Sequence, residues 1–253
     1  MDRQVKPQAT GKEKKMYSTK VALITGANKG LGLEIARQLG QKGVTVVLGA
    51  RDEAKAKAAA DKLRAEGVDA HAVKLDVINE ADVAGLPAFF ESKFGRLDIL
   101  VNNAGVSLDF GGVTRDTFRQ TYETNVIAPY FITEALLPLL KAGPAGRIVN
   151  HSSIMGSITV IGDSNSISSE WVLPAYCSSK AALNMLTVTT ARTLEGTNVK
   201  VNSAHPGWVK TDMGSDRAPM EVVDGAKTAV ALALLPDDGP TGGFFHMGEN
   251  LPW

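Results

Sequence analysis

The stretch VALITGANKGLG, residues 21–32, decides the fold of this chain. Its first five residues are apolar or β-branched, as in a buried parallel strand, and the glycines after them permit a tight turn into a helix. Gly26, Gly30 and Gly32 let the backbone approach a pyrophosphate, whose charge the free amides at the helix start can hold. A glycine loop between a strand and a helix therefore predicts a dinucleotide site.

The same alternation of apolar runs and helical stretches continues outward along the chain. Further strands are predicted at VTVVLG, AHAVKLDV, LDILVNNA, GRIVNHSS and VKVNSAHPG, with a short last strand near Phe244. The clearest helices between them are predicted at about Glu53–Glu66, Thr114–Leu140 and Glu221–Leu235, with another that ends near Phe94. Such alternation implies βαβ units that close into a parallel sheet with helices on both faces.

The predicted fold class is therefore α/β, a single-domain Rossmann fold with a doubly wound parallel sheet. Residues 19–253 form this one domain, which binds the dinucleotide and carries the catalytic groups. Residues 1–18 are polar and rich in lysine, and we expect them to be a mobile tail. They lack the apolar segment of a secretory signal.

Composition excludes several classes of function. The 27 Lys and Arg residues balance 27 Asp and Glu residues, so no basic excess favours nucleic acid. Cys177 is the only cysteine, so no internal disulfide is possible, and we expect a cytoplasmic protein. No apolar run approaches the length of a membrane span. His71, His151 and His246 are scattered along the sequence, and no metal site is predicted.

The stretch from Val172 to Leu194 is typical of a helix that carries Tyr176 and Lys180. Four positions apart, the two side chains lie on one face of a helix. An ammonium close to a phenol lowers the phenol pKa from its ordinary value near 10, which allows proton transfer near neutral pH. Taken alone, the spacing is more typical of an ordinary amphipathic helix, so the other motifs decide.

The end of the second strand bears on the choice between NAD and its phosphorylated form. An acidic residue there binds the ribose hydroxyls, whereas a basic residue accommodates a 2′-phosphate. This chain has Arg51 at that point and Lys29 inside the glycine loop, and Asp52 has the character of a helix cap. We hypothesise that Lys29 and Arg51 clamp the 2′-phosphate of NADPH; the alternative is that both are solvated surface charges.

Three separated motifs together resemble the short-chain dehydrogenase/reductase family. They are TGANKGLG, then NNAG (Asn102 to Gly105), then Tyr176-x-x-x-Lys180, in an order and spacing that fit from Lys20 onward. Within the family the chain is most similar to NADPH-dependent carbonyl reductases, through the segments ANKG, GARD, HSSIMG and PGWVKTDM.

This resemblance implies a catalytic tetrad. Tyr176 would protonate the carbonyl oxygen, and Lys180 would lower the phenol pKa and hold the nicotinamide ribose. Ser153 would hydrogen-bond the substrate oxygen, with Ser152 the weaker candidate for that role. Asn125 would pass protons through water to Lys180.

The resemblance also implies the contacts of NADP(H), which come from the loops after the strands and from the catalytic helix. Asp76 would lie near the adenine, the NNAG motif near the adenosine ribose, and HPGWVKTDM near the nicotinamide carboxamide, with His205 mainly structural. The full set is Gly26, Asn28, Lys29, Gly30, Leu31, Gly32, Arg51, Asp76, Val77, Asn102, Ala104, Gly105, Tyr176, Lys180, Pro206, Gly207, Val209 and Thr211.

One departure from the family concerns the loop before the catalytic helix. Ser153 and Tyr176 are 23 positions apart, more than is usual in the family, which places an insert within Ile158–Leu173. We predict that the insert borders the substrate pocket; the alternative is a neutral surface excursion. The sequence leaves the oligomeric state open between a monomer and a homo-oligomer.

The sequence thus predicts an NADPH-dependent carbonyl reductase, reversible as an alcohol dehydrogenase. The alternatives are an NAD-dependent alcohol dehydrogenase and a regulator that senses NADP(H) without turnover; the regulator would be expected to lack Tyr176 or Lys180. The substrate would be a small apolar ketone or aldehyde, judged from the apolar residues near the motifs. These pocket walls are Val106, Leu108, Phe110, Met155, Trp171, Trp208 and Met213.

Overall fold

The computed structural model describes residues 20–166 and 173–253. The predicted tail, residues 1–18, and residues 167–172 of the predicted insert lie outside these ranges. Within them, no helix combines the length and the apolar character that crossing a bilayer would require.

The described part of the chain forms eight strands and ten α-helices. The strands are β1 (Val21–Thr25), β2 (Thr45–Ala50), β3 (Ala70–Lys74), β4 (Ile99–Asn102), β5 (Arg147–His151), β6 (Lys200–Ala204), β7 (Phe244–His246) and β8 (Glu249–Asn250). The helices are α1 (Gly30–Gln41), α2 (Glu53–Ala65), α3 (Glu80–Ala84), α4 (Leu86–Phe94), α5 (Arg115–Tyr122), α6 (Ala128–Ala142), α7 (Ile158–Gly162), α8 (Pro174–Thr193), α9 (Val222–Gly225) and α10 (Lys227–Ala233). Two 3₁₀ turns (Asp109–Gly111, Ile154–Gly156) and a π turn (Glu123–Ile127) complete the elements.

All eight strands belong to one sheet in the order β3-β2-β1-β4-β5-β6-β7-β8. Pairing is parallel from β3 through β7, and only the last pair, β7 with β8, is antiparallel. The strand order reverses between β1 and β4, and open α/β sheets bind their ligands at such a switch point, beyond the carboxyl ends of the strands. The predicted doubly wound α/β fold is confirmed.

The core lies on both faces of the sheet. On β1, Ala22 and Ile24 pack into one apolar cluster, while Val21 and Leu23 pack into the other. Because successive side chains of a strand point to opposite faces, a strand that is buried on both sides must be apolar throughout. This is why VALIT reads as a continuous apolar run rather than as an alternating one.

The helix predictions hold with local differences. Asp52 caps α2 by accepting from the Lys55 amide, as predicted. The long helix predicted at Thr114–Leu140 is α5, a π turn and α6 in succession, begun by a capping box on Thr114. The short strand β8 was not predicted, because its two residues, Glu249 and Asn250, are exposed and carry no apolar pattern.

Candidate active site

The glycine loop turns sharply out of β1 into α1. Gly26 and Gly30 have φ of +63° and +56°, in the left-handed region that favours glycine. A Cβ on Gly32 would lie 2.5 Å from Nδ2 of Asn103 and 2.7 Å from the carbonyl oxygen of Gly26. The loop therefore has room for backbone only, as close approach to a pyrophosphate requires.

Two residues missed by the sequence analysis hold this loop against β4. The Asn103 side chain donates to the carbonyl oxygens of Thr25 (2.8 Å) and Gly26 (3.3 Å). The Thr25 hydroxyl accepts from the amides of Asn103 (3.0 Å) and Ala104 (2.9 Å). Both residues stand at the carboxyl ends of paired strands, and that position is the signal that could have singled them out.

Asn102, one position earlier, lies on the opposite side of the strand. Its buried side chain donates to Asn150 Oδ1 (2.9 Å), and Asn150 in turn donates to the Thr187 hydroxyl (2.8 Å). Thr187 also shares a hydrogen bond with the hydroxyl of Ser203 (2.8 Å). These four side chains, which we call the polar ladder, join β4, β5, α8 and β6. The side chain of Asn102 is thus engaged in the interior, and its cofactor contact stays a prediction.

Ser153, Tyr176 and Lys180 meet just beyond the end of β5. Tyr176 is in the first turn of α8, with its phenol close enough to the Ser153 hydroxyl for that hydroxyl to influence the phenol pKa. Lys180, one turn further along, has Nζ 5.8 Å from the centre of the Tyr176 ring, so the two side chains share a helix face as predicted. The buried ammonium donates to the carbonyl oxygen of His151 at 2.7 Å. Ser152 is buried nearby, with its amide bonded to Ala204.

The acidity of the phenol differs from the sequence prediction. Burial raises the pKa of Tyr176 to about 12, although the hydrogen bond with Ser153 opposes the rise. Burial also lowers the pKa of Lys180 to about 8. The predicted fall of the tyrosine pKa toward neutrality is therefore not found in the protein alone, because loss of hydration around the phenol has the largest effect.

Asn125 is fully buried in the π turn that separates α5 from α6. Its side chain exchanges two hydrogen bonds of 2.9 Å with the main chain of Val106, and donates at 3.0 Å to the Ser179 hydroxyl on α8. A Cβ on Gly105 would lie 3.3 Å from Asn125 Oδ1 and 3.5 Å from Lys180 Nζ. Asn125 is thus close to Lys180, but its amide already ties two segments together, and the proton relay stays a prediction.

Three histidines that are scattered in the sequence come together under the site. The rings of His205 and His246 have centroids 4.9 Å apart. Burial, followed by the charges of Lys180 and His205, lowers the pKa of His151 to about 3, so this ring is neutral. His205 accepts from the Ile154 amide at 3.2 Å, as expected for a structural residue. In the two described ranges, no group of His, Cys, Asp and Glu side chains is arranged to hold a metal.

The outer wall of the cofactor cleft is the loop after β6. Its Thr211 lies 3.8 Å from the position of a Cβ on Gly30, and its Asp212 forms an ion pair with Lys29. Lys29, predicted to bind a 2′-phosphate, is thus already engaged, whereas the Arg51 side chain is exposed.

The other predicted cofactor residues have varied surroundings. Val209 and Leu31 approach Gly225 of α9 and pack there, which gives both side chains a structural role. Asp76 is half-buried after β3 and accepts weakly from the Ile78 amide at 3.3 Å. The remaining residues predicted to contact the cofactor are all half-buried: Asn28, Val77, Ala104, Gly105, Pro206 and Gly207.

Three of the predicted pocket walls are exposed apolar residues on loops at the carboxyl edge of the sheet. Phe110 is 66% exposed, and Trp208 and Met213 are each 47% exposed. Val106, Leu108 and Met155 are half-buried, and Trp171 is outside the described residues. Large exposed apolar side chains on loops next to polar candidate residues are typical of a site for an apolar ligand.

The chain is held in place at two points, one just before the insert and one at its start. Gly156 packs directly on α8, since a Cβ there would lie 2.6 Å from the carbonyl carbon of Lys180. Both the amide (3.0 Å) and the hydroxyl (2.6 Å) of Thr159 in α7 donate to the carbonyl oxygen of Trp253. Residues 164–166 then form a turn. That the insert borders the substrate stays a prediction.

Comparison with known proteins gives consistent matches along the chain. A family model described as short chain dehydrogenase matches residues 20–222. The (+)-neomenthol dehydrogenase of Capsicum annuum is 33% identical, with 93% of this chain and 98% of that protein covered. The carbonyl reductase (NADPH) 1 of Mus musculus is 35% identical, with 93% and 99% covered.

Solved structures agree with these sequence matches. The crystal structure of NADPH-bound carbonyl reductase from chicken fatty liver superposes with a TM-score of 0.81 at 28% identity, and the match covers 92% of this chain and 99% of that one. The similarity therefore extends over the whole fold and is not confined to the three motifs.

Proposed function

The chain belongs to the short-chain dehydrogenase family, and we propose that it is an NADPH-dependent carbonyl reductase whose general acid is Tyr176. The names of the mouse and chicken relatives describe carbonyl reductases and include NADPH. The relative from Capsicum annuum is named (+)-neomenthol dehydrogenase. The observation that carries the proposal is the proximity of Ser153 to a half-buried Tyr176, whose ring centre lies 5.8 Å from the ammonium of Lys180. The substrate we assign is a small apolar ketone or aldehyde.

The residues around the switch point fit NADP(H). The glycine loop leaves space for backbone alone, and Gly105 keeps the space between Asn125 and Lys180 open. Lys29 and Arg51 lie on loops that follow β1 and β2, where a 2′-phosphate would be bound. When bound, the dinucleotide supplies the hydride, and the protein supplies position, charge and a proton.

Tyr176 is suited to the direction of reduction. With a pKa raised to about 12 by burial, the phenol is protonated at neutral pH and can give its proton to a carbonyl oxygen. Ser153 holds the phenol oxygen and can donate to the same carbonyl, which stabilises the charge that develops there. Alcohol oxidation would need the phenolate first, which the raised pKa disfavours.

Lys180 supports the anion that remains when Tyr176 has given up its proton. Its Nζ is fixed by the carbonyl oxygen of His151, so the ammonium stays near the tyrosine ring without blocking it. A fixed positive charge in a site of low hydration stabilises a nearby phenolate more than it would in water. Lys180 therefore favours proton transfer from Tyr176, although burial still leaves the phenol pKa above its ordinary value.

The decisive experiment combines a panel of aldehydes and ketones with NADPH, read by loss of nicotinamide absorbance. We expect turnover by the wild type and a fall in kcat of about 1,000-fold or more in Tyr176→Phe, because the proton donor is lost. Binding of NADPH, followed by tryptophan fluorescence, should stay within about twofold.

Tyr130→Phe is the matched control, because Tyr130 lies on the surface of α6 and is 41% exposed. It should turn over like the wild type. If Tyr176→Phe kept the wild-type kcat, Tyr176 would not be the acid. If the wild type reduced none of the aldehydes and ketones in the panel, the proposed function itself would fail.

A further inference from the structure

The catalytic helix α8 begins without a cap from its own sequence. Leu173 occupies the N-cap position, and in the described part of the chain it provides no side-chain hydrogen bond to the helix. The next residue, Pro174, has no N–H, so the first amides that need an acceptor are those of Ala175 and Tyr176. The start of the helix that carries the proposed acid therefore depends on another segment.

Asp109 supplies that acceptor from 66 positions away in the chain. Its Oδ1 accepts from the amide of Ala175 at 2.9 Å, and its Oδ2 accepts from the amide of Tyr176 at 3.1 Å. The Asp109 residue is only 7% exposed. Burial of a carboxylate is costly unless it is hydrogen-bonded, and two amides at the positive end of a helix offset that cost.

We propose that Asp109 is a positioning residue for Tyr176, and this inference rests on the proposed function. One of its two bonds is made to the main chain of Tyr176 itself, so it fixes the first turn of α8 relative to the loop after β4. The same loop carries the exposed Phe110 and is bonded through Val106 to Asn125. Asp109 thus sets the distance between the proton donor and the wall of the substrate pocket.

Cys177 provides a reporter of this contact that does not depend on turnover. Burial raises the pKa of its thiol, and the negative charge of Asp109 raises it further. Because the chain contains a single cysteine, its alkylation reports on this position alone. The thiolate is the reactive form, so a lower thiol pKa means faster alkylation at a given pH.

The test uses Asp109→Ala and Asp109→Asn in the full-length protein. Displacement of an acid by a fraction of an ångström is costly, so we expect kcat at saturating NADPH to fall about tenfold or more in Asp109→Ala, with the dissociation constant of NADPH within about twofold. Asp109→Asn keeps one acceptor oxygen and should retain more activity than Asp109→Ala. Both variants should be alkylated by iodoacetamide several-fold faster than the wild type, because the negative charge beside Cys177 is gone.

Asp52→Ala is the matched control, since Asp52 is also an aspartate cap but serves α2, which carries none of the four proposed catalytic residues. It should leave both kcat at saturating NADPH and the alkylation rate unchanged. If Asp109→Ala kept the kcat of the wild type, or if Asp109→Asn were alkylated at the wild-type rate, Asp109 would not be a positioning residue for Tyr176. If the wild type reduces no carbonyl, the proposed function fails, while the alkylation comparison still decides whether Asp109 caps α8.

Discussion

Two helix starts lie at the carboxyl edge of the sheet, and they are used in opposite ways. At α1 the N-cap residue is Lys29, and among the described residues it makes no side-chain cap bond, so the first amides are left for an anion. At α8 the first amides are already taken by the carboxylate of Asp109. The comparison shows that one helix end is kept open to bind a ligand, while the other is closed to hold a catalytic side chain still.

The two regions are also stabilised differently. The glycine loop depends on backbone shape and on close contacts with the neighbouring strand, through Thr25 and Asn103. The start of α8 depends on side chains from distant parts of the chain, among them Asp109 and Asn125. Substitutions in the first region should therefore affect cofactor binding, and substitutions in the second should affect turnover.

The strongest test of the open helix end is Gly32→Ala. A Cβ there would lie 2.5 Å from Asn103 and 2.7 Å from Gly26, too close for either group to accommodate without moving. We expect NADPH affinity to fall about 100-fold and the free energy of unfolding to fall by about 1–3 kcal/mol. Fluorescence titration and thermal denaturation measure the two effects.

Gly162→Ala is the control for Gly32→Ala, because no described atom lies within 4 Å of the added methyl group. It should leave NADPH affinity unchanged. Wild-type affinity in Gly32→Ala would mean that the loop does not bind the pyrophosphate as closely as the comparison requires.

Arg51 and Lys29, the two cations near the start of α1, should contribute unequally to the KM for NADPH. Arg51→Ala should raise the KM for NADPH about 30-fold, the value of a charged hydrogen bond to a phosphate, and leave the KM for NADH unchanged. Lys29→Ala should raise the KM for NADPH only about threefold, because its ammonium is already shared with the exposed carboxylate of Asp212. Initial rates with both cofactors provide the comparison, and equal effects of the two substitutions would contradict it.

The pH dependence of kcat/KM tests the role of Lys180 near the start of α8. Burial lowers the pKa of Lys180 to about 8, so this side chain loses its charge at a lower pH than an exposed lysine does. Tyr176, with a pKa of about 12, keeps its proton over the same range. We expect kcat/KM for the carbonyl to fall as the pH rises through 8, about tenfold for each further unit. Lys180→Arg should be slower but should lack this fall up to pH 10, because arginine stays charged. A flat wild-type profile to pH 10 would contradict the assignment.

The fold was predictable from sequence because its signals are local. VALITGANKGLG contains its own strand, turn and helix start, and the helical spacing of Tyr176 and Lys180 sets their common face. What could not be predicted depends on contacts between distant segments. The cap provided by Asp109 links residues 66 positions apart, and the raised pKa of Tyr176 follows from burial, which the spacing of two residues does not reveal.

The polar ladder and the exposed pocket walls should differ in how well they tolerate substitution. Each member of the ladder, such as Asn150 or Thr187, bonds to others in the interior, so replacing one leaves a partner unsatisfied there. Phe110 and Met213 are exposed to solvent, at 66% and 47% of their surface. In laboratory evolution toward a new ketone, we therefore expect accepted substitutions among the exposed wall residues. The residues of the polar ladder should stay unchanged.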